Sequence, residues 1–195
     1  MTLDASAVQR FVASGFHVVG ADEMRSISPD FHRGVAESTE RALAAGRTLG
    51  GNDSLEELPQ LRTLLADHAV HSALISLFGE GWRLYQHASM HDGGRRQGKE
   101  AQELHKDGPI CSQARFHRPR WGMVLYYPQA VRPDMGPTAV IPSSQYLFQR
   151  LGNPYVNGGL PKIEFLTVPV GTLAACMHAD LSSMLTIELP NEQLA

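Results

Sequence analysis

Clustered charge, long apolar runs and closely spaced cysteines are all scarce in this chain, and each scarcity excludes something. Of its 195 residues, 17 are Lys or Arg and 20 are Asp or Glu, for a formal net charge of −3. The cations are scattered, so there is no electrostatic basis for a nucleic acid or an anionic membrane as partner. No apolar stretch approaches the length that crosses a bilayer, and Met1-Thr2-Leu3-Asp4 opens with neither a basic segment nor an apolar run. The expectation is an intracellular, cytoplasmic protein. Cys111 and Cys176 are the only cysteines, too distant in sequence for a zinc knuckle or a redox pair. Reduced, structural thiols are expected, with a disulfide between them left open. A Gly-x-Ser-x-Gly elbow is lacking, which disfavours Ser-His-Asp hydrolysis, and Gly50-Gly51 lacks the Lys and Ser/Thr of a phosphate loop.

What is present is the composition of a folded, soluble domain: 43% hydrophobic and 19% charged residues, enough to bury a core. The expectation is a single domain over residues 1–195, with a helical part at 1–80 and a strand-rich part at 81–195. Asp4 or Ser6 can cap a first helix that Gly15 stops. A second helix is predicted to begin after Asp30 and run to Gly46, with Val35, Leu43 and Ala44 on one side. A third follows Pro59, where Leu61, Leu64, Leu65, Leu74, Leu77 and Phe78 recur at helical spacing before Gly79. His68 and His71 on it read as partly exposed. From Trp82 onward, short apolar segments alternate with Gly and Pro, predicting strands at 83–90, 103–107, 122–127, 138–141, 163–168 and 172–178. Successive short strands with no second set of helices favour an antiparallel barrel or jelly roll over a βαβ fold.

In Glu103-Leu104-His105-Lys106-Asp107 the imidazole and the carboxylate are two residues apart, so an extended strand projects both from one face. A single cation could meet both, and they are two of the three ligands of the facial triad that holds non-haem Fe(II). With nine histidines in the chain, a His-x-Asp arises readily by chance, and His178-Ala179-Asp180 is a second copy. The alternative reading of either copy is a hydrogen-bonded histidine beside a loop aspartate. About thirty residues further on, Gly136-Pro137-Thr138-Ala139-Val140-Ile141-Pro142-Ser143-Ser144-Gln145 enters a short apolar strand that Pro142 ends, preceded by the strand Arg120 to Pro128.

In these segments the chain resembles the phytanoyl-CoA dioxygenase family, whose members pair a His-x-Asp-Gly-like segment with an apolar strand and then Gly-Pro-x-x-x-x-Pro-Gly-Ser-His/Gln. His105-Lys106-Asp107-Gly108 and GPTAVIPSSQ match in order and spacing, and a looser resemblance extends over residues 7 to 181. It implies an α+β chain, mostly β with N-terminal helices, whose strands form a cupin-like double-stranded β-helix or jelly roll. It also implies Fe(II) as metal and 2-oxoglutarate as cosubstrate, consumed by oxidative decarboxylation while an unactivated carbon of a small organic substrate is hydroxylated. His105 and Asp107 match the family's first two ligands.

The resemblance breaks near the C-terminus. Where the family has its distal histidine, this chain has Ser182 or Ser183; no Arg follows Arg150 to grip the cosubstrate, and the chain ends at Ala195, short of the strands expected to close the barrel. Two readings stay open: His178 serves as the third ligand, or the metal site is incomplete and the barrel is a catalytically inactive binding module. An open sheet edge is a further expectation of the short tail. His87 and His91 are candidates for pocket lining, Ser143 and Gln145 for substrate contact, and Trp121, Tyr126 and Tyr127 for core or barrel wall.

Overall fold

The computed structural model describes residues 2–46, 50–51, 54–85, 88–89, 121–135, 137–144, 164–165, 168–177 and 185–188. Helix α1 (Ala5–Ser14) begins where the Asp4 carboxylate accepts from the Ala7 N–H at 2.7 Å and ends at Gly15, whose left-handed φ of 89° reverses the chain. Both boundaries agree with expectation. Strand β1 (Phe16–Val19) follows at once and was not predicted. Helix α2 (Pro29–Ala44) starts earlier than expected because Ser28 caps it and Pro29 suits the first turn. Its buried face is His32, Val35, Ala36 and Ala42; Ala44, predicted inside, is exposed.

After β2 (Gly50–Gly51) and α3 (Ser54–Glu57) comes the segment predicted as one helix, which is two: α4 (Gln60–Ala66) and α5 (His68–Phe78). The break is at Asp67, which is extended at ψ 139°. Its carboxylate accepts from the Ala69 N–H at 2.9 Å and the Val70 N–H at 3.5 Å, capping α5, and from the Ser26 N–H and hydroxyl. A side chain that satisfies four donors makes a new helix start more favourable there than continuing the old one.

The predicted strand 83–90 is also broken, into β3 (Arg83–Tyr85) and β4 (Ala88–Ser89). The remaining strands are β5 (Trp121–Tyr127), β6 (Ala139–Val140), β7 (Glu164–Phe165), β8 (Thr172–Met177) and β9 (Leu185–Glu188), with a 3-10 turn at Pro133–Met135. Five strands form one sheet in the order β1-β8-β5-β9-β3, every described pair antiparallel, and β6 pairs with β7, β2 with β4. The chain thus runs from the large sheet through the β6–β7 pair and back to the large sheet. Strand β9, which was not predicted, lies between β5 and β3 and hydrogen-bonds to both. The helical part is likewise more than a preface, since β1 pairs with β8 from Phe16↔Cys176 to Val19↔Leu173.

Alternation along the strands sorts the sheet into two faces. Val19, Val124, Tyr126, Leu173 and Ala175 share a buried cluster with Phe11, Val35, Leu64, Val70, Leu74 and Phe78 of the helices. Each large side chain buried here stabilises the fold by about 1.5–3 kcal/mol before entropy is counted. Phe78 packs edge-on against Phe11, with ring centroids 5.8 Å apart, and its ring fills the space where a Cβ on Gly122 would stand. On the opposite face Met123, Leu125 and Ala174 meet Val140 of β6, with Phe16, Tyr127 and Val168 alongside. Helices therefore cover one face of an antiparallel sheet and the β6–β7 pair begins to cover the other. This is an α+β arrangement.

Candidate functional site

The face turned toward β6 is where a barrel interior would hold its chemistry. Its described residues are apolar: Met123, Leu125, Val140 and Ala174 are each at most 5% exposed. Such a wall excludes water and supplies no metal donor, and among the described residues no group of three His, Cys, Asp or Glu side chains could hold a metal ion. The predicted ligands His105, Asp107 and His178 lie outside the described residues, as do His87, His91, Gln145 and Cys111. What is described around them is their approach: β8 ends at Met177, one residue before His178.

Ser143, predicted as a substrate contact, has a different set of partners. The segment Ile141-Pro142-Ser143-Ser144 closes a turn with the Ser144 N–H donating to the Ile141 carbonyl at 3.1 Å. Proline at the second position and a positive φ at the third are the pattern of a type II turn, whose third position favours glycine. Ser143 occupies it at φ 68°, the only positive φ of a non-glycine among the described residues, at a cost of about 1–2 kcal/mol. Two bonds offset that cost: its N–H donates to the Ser14 carbonyl at 2.9 Å and its hydroxyl to the Ala13 carbonyl at 2.8 Å.

The sequence reading missed a buried polar pair on the helix side. His32, 3% exposed, projects from α2 so that its Nδ1 lies 2.6 Å from the hydroxyl of Tyr126 on β5. Burial holds the imidazole below its ordinary pKa and pushes the tyrosine hydroxyl further up. Near neutral pH this pairs an uncharged imidazole with an intact phenol, a bond that needs no counter-ion. The ring also covers Gly171, whose φ of 76° suits glycine and whose missing Cβ leaves the room the imidazole occupies. Tyr126 is thus a core residue, as expected, while the partner 94 residues away had no local signal beyond a histidine on the apolar side of an amphipathic helix.

Two further groups are electrostatically set. Burial pushes the Asp67 carboxyl up, but hydrogen bonds from the Ser26 hydroxyl and the Ala69, Ser26 and Val70 N–H groups outweigh it and hold the group below the ordinary carboxylate value. His17, on β1, has a buried Nε2 without a hydrogen-bond partner, and burial lowers its pKa. His68 and His71 are exposed, and His71 stands 5.9 Å from the ring of Trp82. Among the described residues no helix is long and apolar enough to cross a membrane.

No protein-family model and no curated protein matches the chain. Solved structures do. HygX from Streptomyces hygroscopicus, with nickel and 2-oxoglutarate bound, is similar with a TM-score of 0.65 at 13% identity, covering 97% of this chain and 88% of that one. The same protein with iron bound gives a TM-score of 0.58 at 16% identity over 96% of this chain and 86% of that one. With nickel, 2-oxoglutarate and hygromycin B bound it gives 0.55 at 14% identity, over 95% and 86%. At such identities the likeness establishes a shared fold.

Proposed function

We propose that the chain is an Fe(II)- and 2-oxoglutarate-dependent dioxygenase of the phytanoyl-CoA dioxygenase type, hydroxylating a small organic substrate within a jelly-roll barrel. The observation that carries this reading is the fold likeness to HygX over nearly the whole chain, a protein solved with iron, nickel and 2-oxoglutarate. The order of motifs supports it, with His105-Lys106-Asp107 between β4 and β5 and GPTAVIPSSQ running through β6.

In this reading His105 and Asp107 hold the metal and His178 completes the triad. Ala174 faces the inner cluster, and β8 ends at Met177. The donor set suits Fe(II): two neutral imidazoles and a carboxylate leave open coordination positions. The metal, when bound, supplies dioxygen activation coupled to decarboxylation of the cosubstrate. The protein's part is to fix the donors and to back them with the water-excluding wall of Met123, Leu125, Val140 and Ala174.

The test is anaerobic titration with Fe(II) and 2-oxoglutarate. The expected outcome is the weak visible charge-transfer band of a chelated complex, abolished in His105→Ala and Asp107→Ala and weakened in His178→Ala. No band at millimolar cosubstrate overturns the reading. It would favour a non-catalytic cupin-like binding module, for which the absence of any Arg after Arg150 is the supporting observation, since a bidentate partner for the distal carboxylate is then missing from the C-terminal strands.

A further inference from the structure

Helix α2 is held to the sheet by little hydrocarbon. Of its 16 residues four are buried, and among those Val35 is the one branched hydrocarbon; Ala36 and Ala42 are small, and His32 is polar. Helix α5, with 11 residues, buries Val70, Ala73, Leu74, Leu77 and Phe78. A helix in a folded chain is kept in place mainly by the apolar face it buries, so α2 depends more than α5 on a single large side chain, the His32 imidazole. That ring meets two elements at once. Its Nδ1 lies 2.6 Å from the Tyr126 hydroxyl on β5, and it lies over the main chain of Gly171, just ahead of β8. Burial pushes the phenol up, so it keeps its hydrogen, and among the described residues Nδ1 is the partner that can accept it. The imidazole proton then belongs on Nε2 and the ring is neutral. A second proton would have to go onto Nδ1, the accepting atom. The hydrogen bond would reverse, the phenol hydrogen would lose its acceptor, and a cation would stand in a buried place. Nothing there offsets that charge: burial is the one influence on His32, with no carboxylate or cation contributing. The charged groups of α2 are engaged elsewhere, Asp30 with Arg33, Glu37 with Arg41 and Glu40 with Gln129, while residues 121–127 and 168–177 contain no charged side chain.

We propose that the His32–Tyr126 pair is a proton-operated latch: protonation of the imidazole releases residues 29–36 of α2 from β5 and from the turn at Gly171, while α5 stays packed on the sheet. In the released form the imidazole is in water and takes up a proton at its ordinary value of 6.5, whereas in the latched form it binds the proton only at lower pH. Above 6.5 the latch is shut. Each pH unit below 6.5 then favours the released form by up to about tenfold, until the latched form is itself protonated. The device is independent of any reaction the chain performs.

The test is amide hydrogen exchange on the full chain between about pH 7 and pH 5, with protection corrected for the intrinsic rate at each pH. Protection of residues 30–36 should fall about tenfold relative to α5 over that range. His32→Gln offers the phenol an amide oxygen and carries no titrating group, so its protection there should stay level. Tyr126→Phe removes the latch from the other side: residues 30–36 should be less protected already at pH 7 and lose less on acidification. In the parent, the ring resonances of His32 followed by NMR should show the uncharged, Nε2-protonated form at pH 7 and should titrate together with the loss in 30–36, a measurement that stands even if a variant fails to fold. Unchanged protection of 30–36 in the parent overturns the latch. An equal fall in α5 overturns it too, since the proton then weakens the whole fold. A fall that persists in His32→Gln assigns the proton to another group, and a His32 ring already charged at pH 7 removes the premise.

Discussion

The two faces of the five-stranded sheet are packed on different terms. On the helix side, large side chains from α1, α2, α4 and α5 interlock with Val124, Tyr126 and Leu173, and the buried polar groups His32 and Tyr126 satisfy each other. On the other side the described cluster is Met123, Leu125, Val140 and Ala174, roofed by a two-residue strand. Among the described residues the larger apolar side chains gather where helices cover the sheet.

The strongest way to break this contrast is Phe78→Ala. Its ring holds Phe11 and fills the gap over Gly122, so truncation should destabilise by about 3–5 kcal/mol in denaturant unfolding. Val140→Ala on the other face should cost only about 1–2 kcal/mol. Equal losses would show that the faces share the load. Gly171→Ala follows, since a Cβ there meets the His32 ring at a backbone angle that disfavours alanine. About 1–3 kcal/mol should be lost, read as a lowered melting temperature with the far-UV spectrum retained.

Asp67→Ala should cost about 1–3 kcal/mol by leaving Ser26 and the start of α5 without their acceptor. Because the folded carboxyl sits below its ordinary value of 3.8, its contribution is present above that pH and is lost as acid takes the protein down through the lowered folded value. The variant should lack that part of the parent's acid sensitivity.

The smallest effect is the histidine one. His32 and His17 both have folded values below 6.5, so the unfolded chain binds the extra protons. Their stabilisation is complete above pH 6.5 and declines as pH falls from there through their folded values. His32→Gln should flatten part of that slope in urea midpoints measured from pH 7 to 5, leaving the share of His17. An unchanged slope would mean that His32 is not buried neutral.

Where the physics is local, the sequence reading held. The Asp4 cap, the Gly15 stop and the apolar run of β5 each announce themselves within a few residues. The break at Asp67 carried a usable signal, an acidic cap before Ala69 and Val70, which an uninterrupted apolar period concealed. Strands β1 and β9 are four residues each, and only their partners make them strands: Val19 lies opposite Leu173, Leu185 opposite Val124. His32 is the same case among side chains, because nothing near residue 32 points to Tyr126. For the site, Ser143 was singled out by its motif but assigned to substrate, whereas its described partners are carbonyls of α1. His105 and Asp107 rest on motif order alone and His178 on the lack of the family's distal histidine, and all three lie outside the described residues.

The placement of β9 governs how this molecule can be made. Among the described residues β3 joins the large sheet only through β9, which arrives roughly a hundred residues later. During synthesis α4 and α5 can pair as soon as they emerge, while β3 waits for its described partner until residues 185–188 have been produced. Among the described strands the sheet is therefore completed from the middle by the last one made, and a stalled or clipped product lacking residues 185–188 would leave the edges of β3 and β5 that β9 covers open to a neighbouring chain.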